Sequence, residues 1–324
     1  MENLTHQLKD FSKQMHYALG NYKPLPINLS QIQTIVIGGL GGSGIAGRIV
    51  KNYFSDKLEL PIEIVSDYIF PRFVNSKSLI ILSSFSGNSE ETLALYSQAK
   101  EKKAKVIILT AGGELKRKAD EDGFPVFLAE PKYEARMGLG YSLTYLFQIF
   151  FDLLGQYKQA DLNKIADHLM IWEDFMSRGK EWAQSFGNTI QNKFIVVCDP
   201  PMEGLATRFV QQIQENSKSE AFLSILPEGN HNTLSTYEGN LNSNFVFLNS
   251  RSSERTNLRF LFLKELLGKN YPIFEIPLTD NSMVSQFNTL YTMDWMAIEL
   301  VNLKGGNMEN SQNVVNLKQF LNKK

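Results

Sequence analysis

The sequence predicts an α/β fold made of two units, each a parallel sheet flanked by helices, and three observations carry that expectation. Short apolar runs rich in valine and isoleucine recur between Thr34 and Leu128, separated by segments with helical spacing. The same order returns between Phe194 and Leu303. The chain has 324 residues, long for one core when domains run to roughly 100–200 residues.

The expected strands of the first unit are Thr34–Ile37 (TIVI), Ile62–Val65 (IEIV), Ser78–Ser83 (SLIILS), Lys105–Leu109 (KVIIL) and Pro125–Leu128 (PVFL). They are largely apolar throughout instead of alternating, the pattern of strands covered on both faces in a parallel sheet. Amphipathic stretches such as Glu90–Lys103 (EETLALYSQAKEKK) lie between them. Ahead of the first strand, Met1–Gly20 mixes polar and apolar residues at helical spacing, without the basic and then apolar order of a signal peptide. A helical block from Gly140 to about Gln191 follows, with one helix expected at Asp161–Met176 and another around Trp182. The second set of strands is Phe194–Cys198, Ala221–Leu226, Phe245–Leu248 and Pro272–Ile276, with helices at Glu203–Lys218, Glu254–Leu267 and Met283–Leu303. The expected domains are 1–154 and 155–324, and their common element order is that of a diverged duplication.

Composition narrows the function. With 43% hydrophobic residues the chain can bury a full core, which excludes global disorder. Lys and Arg number 33 against 34 Asp and Glu, a net charge of −1, so no basic field exists to hold nucleic acid or an anionic membrane. An anionic ligand must therefore be met by a local site. The single cysteine, Cys198, has no partner for an intramolecular disulfide or a thiolate metal cage, which points to a reducing compartment and a cytoplasmic location. Apolar runs such as Leu143–Leu154 are too short for the roughly 20 helical residues that span a bilayer.

Two glycine- and serine-rich loops carry the chemistry. Gly38–Gly47 (GGLGGSGIAG) directly follows the first strand and opens a helix. Glycines there let backbone N–H groups approach an anion, and the helix N-terminus favours negative charge. Gly39, Gly41 and Gly44 also fit G-x-G-x-x-G, and Asp67 lies just past the second strand, where a nucleotide ribose would sit. A plain tight turn without ligand is the structural alternative, and Ser43 would then simply cap the helix. Ser83–Thr92 (SSFSGNSEET) follows the third strand. Ser84, Ser86 and Ser89 surround Gly87 and Asn88 at a second helix N-terminus, so neutral donors can cradle a phosphate monoester without lysine. Helix capping by one serine is the competing reading. A dinucleotide makes no demand for this hydroxyl cluster, whereas a terminal phosphate does.

The pairing of GGLGGSG with SFSGNSEET resembles the sugar isomerase (SIS) domain. With ARMGLGYSL at Ala135–Leu143, QQIQENSKSEA at Gln211–Ala221 and LPEGNHNT at Leu226–Thr233, the chain resembles the bifunctional phosphoglucose/phosphomannose isomerase family, whose members carry two SIS domains in tandem. The resemblance implies two tandem SIS-type domains and assigns Ser43, Ser84, Ser86 and Ser89 to the sugar phosphate. It makes Arg136 an active-site arginine, Glu215 the catalytic base, His231 the ring-opening histidine and Lys318, in NLKQFL, a C-terminal active-site lysine. Ser89 stands where the family usually has threonine, and Gly229 where a bulkier residue is common. The resemblance also implies a homodimer in which the histidine comes from either subunit.

The residue types suit that chemistry. Moving a proton between adjacent carbons through an enediol needs one carboxylate, and a hemiacetal opens when one proton leaves O1 and one reaches O5, which histidine can arrange near neutral pH. His231 lies in PEGNHN, which reads as a polar turn and not an apolar helix face. A guanidinium stabilises the enediolate oxygen. No redox cofactor or metal is required, and His6, His16, His168 and His231 lack metal-ligand spacing. The expected function is a hexose 6-phosphate isomerase acting on glucose or mannose 6-phosphate. A non-catalytic phosphosugar sensor and a nicotinamide oxidoreductase are the two competitors.

Overall fold

The computed structural model describes residues 2–27, 29–187, 190–278, 280–306, 308 and 311–321, leaving aside the side chains of residues 2, 3 and 318. The chain divides into two compact units, Gln7–Ile171 and Trp172–Lys324 together with Met1–His6.

The first unit runs α1 (Glu2–Lys9), shared at its start with the other unit, α2 (Phe11–Asn21), β1 (Thr34–Gly38), α3 (Gly41–Phe54), β2 (Ile62–Val65) and β3 (Ser78–Ser84). It continues with α4 (Glu90–Glu101), β4 (Lys105–Thr110), α5 (Gly113–Asp122), β5 (Val126–Leu128), α6 (Leu139–Leu153) and α7 (Gln159–His168). The sheet has the order β2-β1-β3-β4-β5 and every pairing is parallel. Strands β1 and β3 are buried along their whole length, as continuous apolar runs require when helices cover both faces. On one side, Val36, Ile80, Leu82 and Val106 pack with Leu95 and Tyr96 of α4 and Leu115 of α5. Elsewhere Phe54 of α3 meets Phe147, Phe150 and Phe151 of α6, with ring centroids 5.6, 5.1 and 5.0 Å away. Helix α6 is apolar on nearly every side and correspondingly buried.

The second unit comprises α8 (Trp172–Gln184), β6 (Lys193–Cys198), α9 (Glu203–Ser217), β7 (Glu220–Ile225), α10 (Gly229–Thr236) and β8 (Ser243–Leu248). It ends with α11 (Glu254–Leu267), β9 (Ile273–Glu275), α12 (Met283–Leu303) and α13 (Gln312–Leu321). Its parallel sheet has the order β7-β6-β8-β9, which repeats the first four positions of the other sheet. Helix α12 is buried along most of its length and packs against α8 and α9. Arg208 of α9 and Asp294 of α12 form a fork of two bonds, 3.1 and 2.9 Å, with both side chains only 2% exposed.

Two expectations need correction. The single helix expected at Asp161–Met176 is two helices, α7 and α8, broken at Leu169–Ile171. Its halves serve different cores: α7 buries Leu162 and Ile165 in the first unit, and α8 buries Phe175 and Trp182 in the second. The polar turn expected around His231 is the helix α10, and the reason lies in its surroundings, described below.

Candidate active site

Gly38 closes β1 and Gly41 opens α3. Between and after them, backbone meets backbone too closely for a side chain. A Cβ on Gly39 would stand 2.7 Å from the Ser83 carbonyl oxygen, and one on Gly44 would stand 2.4 Å from the Gly39 carbonyl oxygen. Gly42 leaves room for the single-turn 3-10 helix Ala135–Met137, since a Cβ there would lie 3.0 Å from the Ala135 oxygen and 3.1 Å from Arg136 Cα. Arg136 is thereby seated over the N-terminus of α3, its side chain 9% exposed and 3.2 Å from the Glu134 carboxylate. Ser43 neither caps α3 nor points away: its Oγ accepts the Phe85 N–H at 2.9 Å and ties the glycine turn to the serine loop.

In that loop the buried Ser84 and half-buried Ser89 place their hydroxyl oxygens 3.0 Å apart, while Ser86 is exposed. Ser89 occupies the N-cap position of α4 without making a side-chain cap bond, so capping does not account for it. The Asn88 N–H donates to Ser86 Oγ at 3.2 Å, and Asn88 Oδ1 accepts the Glu114 N–H at 3.0 Å. Gly87 has φ +69°, and a Cβ on it would sit 1.8 Å from the Gly112 oxygen, so the chain turns here only with glycine. Loop, neighbouring loop and glycine turn form one framework at the C-terminal ends of β1, β3 and β4. Open parallel sheets bind ligands on this side, and the first N–H groups of α4 face outward there.

A narrow recess adjoins the two loops, lined by Gly42, Ser43, Phe85, Gly138, Tyr141, Ser142 and Tyr145 among others. Tyr141 donates to Glu130 Oε2 at 2.6 Å. That bond, with help from Lys132, holds the Glu130 carboxyl below its usual range, and burial raises the Tyr141 hydroxyl well above its own. Neither Tyr141 nor Ser142 was singled out from the sequence, although both lie in the ARMGLGYSL string. Asp67, the ribose ligand of the dinucleotide reading, is exposed and accepts the N–H of Tyr68 at 2.6 Å.

The second unit holds the other candidates. Glu215 lies exposed in the last turn of α9. Lys218, at φ +50°, ends that helix and its Nζ donates to the Glu215 carbonyl at 2.6 Å. Gln214 Nε2 donates to the Ala221 carbonyl at 2.8 Å, which fixes this end of α9 at the start of β7. His231 is exposed on the first turn of α10, past the other end of β7. Its neighbour Asn230 is buried and accepts from Arg259 at 3.1 Å, and Gly229 lies so close over Ser224 that a Cβ would meet Ser224 Oγ at 2.4 Å. These contacts draw a polar segment that opens with a glycine into a helix and leave no room for the bulkier side chain common at position 229. From Ala221 to Ile225 the strand rises about 13 Å, so one chain's Glu215 and His231 stand at opposite ends of it. Lys318 belongs to α13, with its side chain outside the described residues. Among the described residues, no three His, Cys, Asp or Glu side chains gather as metal ligands, and no helix is long and apolar enough to cross a membrane.

Comparison with known proteins agrees with this architecture. Residues 28–138 match the SIS domain, and residues 177–321 match the bacterial phospho-glucose isomerase C-terminal SIS domain. The chain is 32% identical over 306 residues, 90% of each sequence, to the bifunctional phosphoglucose/phosphomannose isomerase of Caldicellulosiruptor bescii. It is 33% identical over 217 residues, 66% of this chain and 67% of the relative, to the D-glucosamine-6-phosphate 4-epimerase of Sulfolobus acidocaldarius. Among solved structures, the C-terminal domain of glucosamine-fructose-6-phosphate aminotransferase from Francisella tularensis has a TM-score of 0.75 at 13% identity, covering 95% of this chain and 98% of that one. That likeness is one of fold.

Proposed function

We infer the reaction from one premise: the chain belongs to the bifunctional phosphoglucose/phosphomannose isomerase family of tandem SIS proteins. It is a sugar-phosphate isomerase, an intramolecular oxidoreductase that interconverts glucose 6-phosphate or mannose 6-phosphate with fructose 6-phosphate. The observation that carries this reading to the chain's own residues is the serine loop. Its hydroxyls stand at a helix N-terminus, and Ser89 is not engaged in capping it.

In the proposed mechanism, Ser84, Ser86 and Ser89 donate to the phosphate oxygens together with the first N–H groups of α4. Ser43 accepts the Phe85 N–H and keeps its own hydroxyl proton for the ligand. With the phosphate fixed, His231 takes the O1 proton and the Lys318 ammonium gives one to O5 as the C1–O5 bond breaks, which opens the ring. The Glu215 carboxylate then takes the proton from C2 of the aldose. The C2–H electron pair becomes the C1–C2 double bond of an enediolate, whose oxygen is met by Arg136. As O1 takes up a proton and the C2 hydroxyl gives one up, Glu215 returns its proton to C1 and the C2 oxygen becomes the ketone, with no net redox change.

The placement of Glu215 and His231 beyond opposite ends of β7 supports a homodimer in which each site takes its glutamate from one chain and its histidine from the other. The epimerase relative favours a second reading, chemistry at C4 of an amino sugar phosphate. Separate incubations with glucose 6-phosphate and glucosamine 6-phosphate in deuterated water test both. Fructose 6-phosphate labelled at C1 supports the isomerase, and a product inverted at C4 supports the epimerase.

A further inference from the structure

The two sheets can be superposed by strand register alone. In the first, Gly38 of β1 pairs with Leu82 of β3; in the second, Cys198 of β6 pairs with Leu248 of β8. Counting outward from those pairs, Asp199 corresponds to Gly39, Ser250 to Ser84 and Ser252 to Ser86. The second unit therefore carries its own serine loop, Asn249–Ser253, leading into the N-terminus of α11, where Ser253 caps Thr256. In the first unit the residue facing this loop just after β1 is Gly39, and no side chain from that position enters the cradle. In the second it is an aspartate, 1% exposed, whose carboxylate reaches into the loop. Asp199 Oδ1 accepts the Ser250 N–H at 3.1 Å, and Oδ2 accepts the Ser250 hydroxyl and, at 3.5 Å, the Ser252 hydroxyl.

We propose that the loop after β8 is a second oxyanion cradle of the same design as the serine loop, kept closed to phosphate by the carboxylate of Asp199. A backbone N–H and two serine hydroxyls at a helix N-terminus suit a phosphate oxygen. Here they meet an anion that the chain supplies itself. A bound phosphate would have to displace that carboxylate from its donors and lie beside it, like charge against like charge. Duplication of the fold thus leaves two cradles, of which one is open.

The test is the number of phosphates bound per chain. Equilibrium dialysis with inorganic phosphate at millimolar concentration compares the wild type with Asp199→Gly, which restores the glycine found at position 39. The variant is expected to bind one phosphate per chain more than the wild type, while its isomerase activity stays within about twofold. Because the readout is a difference, it holds whether or not the first loop is the substrate site. Equal stoichiometry in a folded Asp199→Gly protein overturns the proposal. Should that variant fail to fold, the wild type with Ser86→Ala and Ser89→Ala decides: no bound phosphate is expected, and a remaining site that Ser250→Ala removes overturns it.

Discussion

Glu215 and His231 stand at opposite ends of one strand, β7, the first in the turn of α9 that precedes it and the second in the helix α10 that follows it. If both serve the same sugar, they come from two copies of the chain. Glu215→Gln and His231→Ala are each expected to lose most activity. Unfolded together and refolded, they should recover about a quarter of the wild-type rate, since half the dimers are mixed and each mixed dimer has one intact site of two. Mixtures as inactive as the separate variants would contradict the shared site.

Ser89 sits at the start of α4 and spends its hydroxyl on Ser84, not on the helix backbone. Replacing it with alanine should therefore cost stability less than the ~1 kcal/mol of a lost N-cap. The KM for glucose 6-phosphate should rise roughly tenfold or more, the scale of one hydrogen bond to a charged group. A large fall in melting temperature with unchanged KM would return this serine to a capping role.

The Tyr141 hydroxyl beside Glu130 makes a pH prediction. The folded pKa of Glu130 lies below its unfolded value, so the stability from this bond is fully present above about pH 4.3 and is lost as pH falls through the folded value. Tyr141→Phe should melt earlier than wild type at pH 7, and the gap should narrow at pH 3. A gap of constant size between those pH values would mean that the carboxylate's charge is not involved.

Arg208 and Asp294 pin α9, the helix that carries Glu215, to α12. Asp294→Ala removes the charged partner of a buried guanidinium and should cost about 3–5 kcal/mol. Arg208→Met combined with Asp294→Leu should recover most of that loss in urea unfolding. Equal destabilisation by the single and double variants would show that the pair is not coupled.

The strands of both sheets were legible because parallel strands covered on two faces must be apolar along their length, as TIVI and SLIILS are. The serine and glycine loops were legible because hydroxyls and glycines between strand and helix are unusual in that density. Helix α10 was not, since Gly229, Asn230 and Asn232 read locally as a turn and only packing on Ser224 and the bond from Arg259 makes them helical. The break between α7 and α8 was hidden because periodicity does not say which core a helix face will meet. Asp199 was silent for a related reason: one aspartate before two prolines looks like loop, and its partners Ser250 and Ser252 lie far along the chain. Ser43 was expected to donate or cap, and the structure adds its acceptor bond from Phe85.

In the proposed reaction Glu215 moves a proton between C1 and C2 of a hexose 6-phosphate. The direct measurement follows glucose 6-phosphate and mannose 6-phosphate side by side by NMR in deuterated water, with wild type and Glu215→Gln. Deuterium is expected at C1 of fructose 6-phosphate and at C2 of the aldose with wild type. Glu215→Gln should lower that exchange rate by a factor of roughly 10²–10⁴, the scale of a general base. Tight binding of both sugars by the wild type without exchange at either carbon would contradict it and make the protein a phosphosugar sensor.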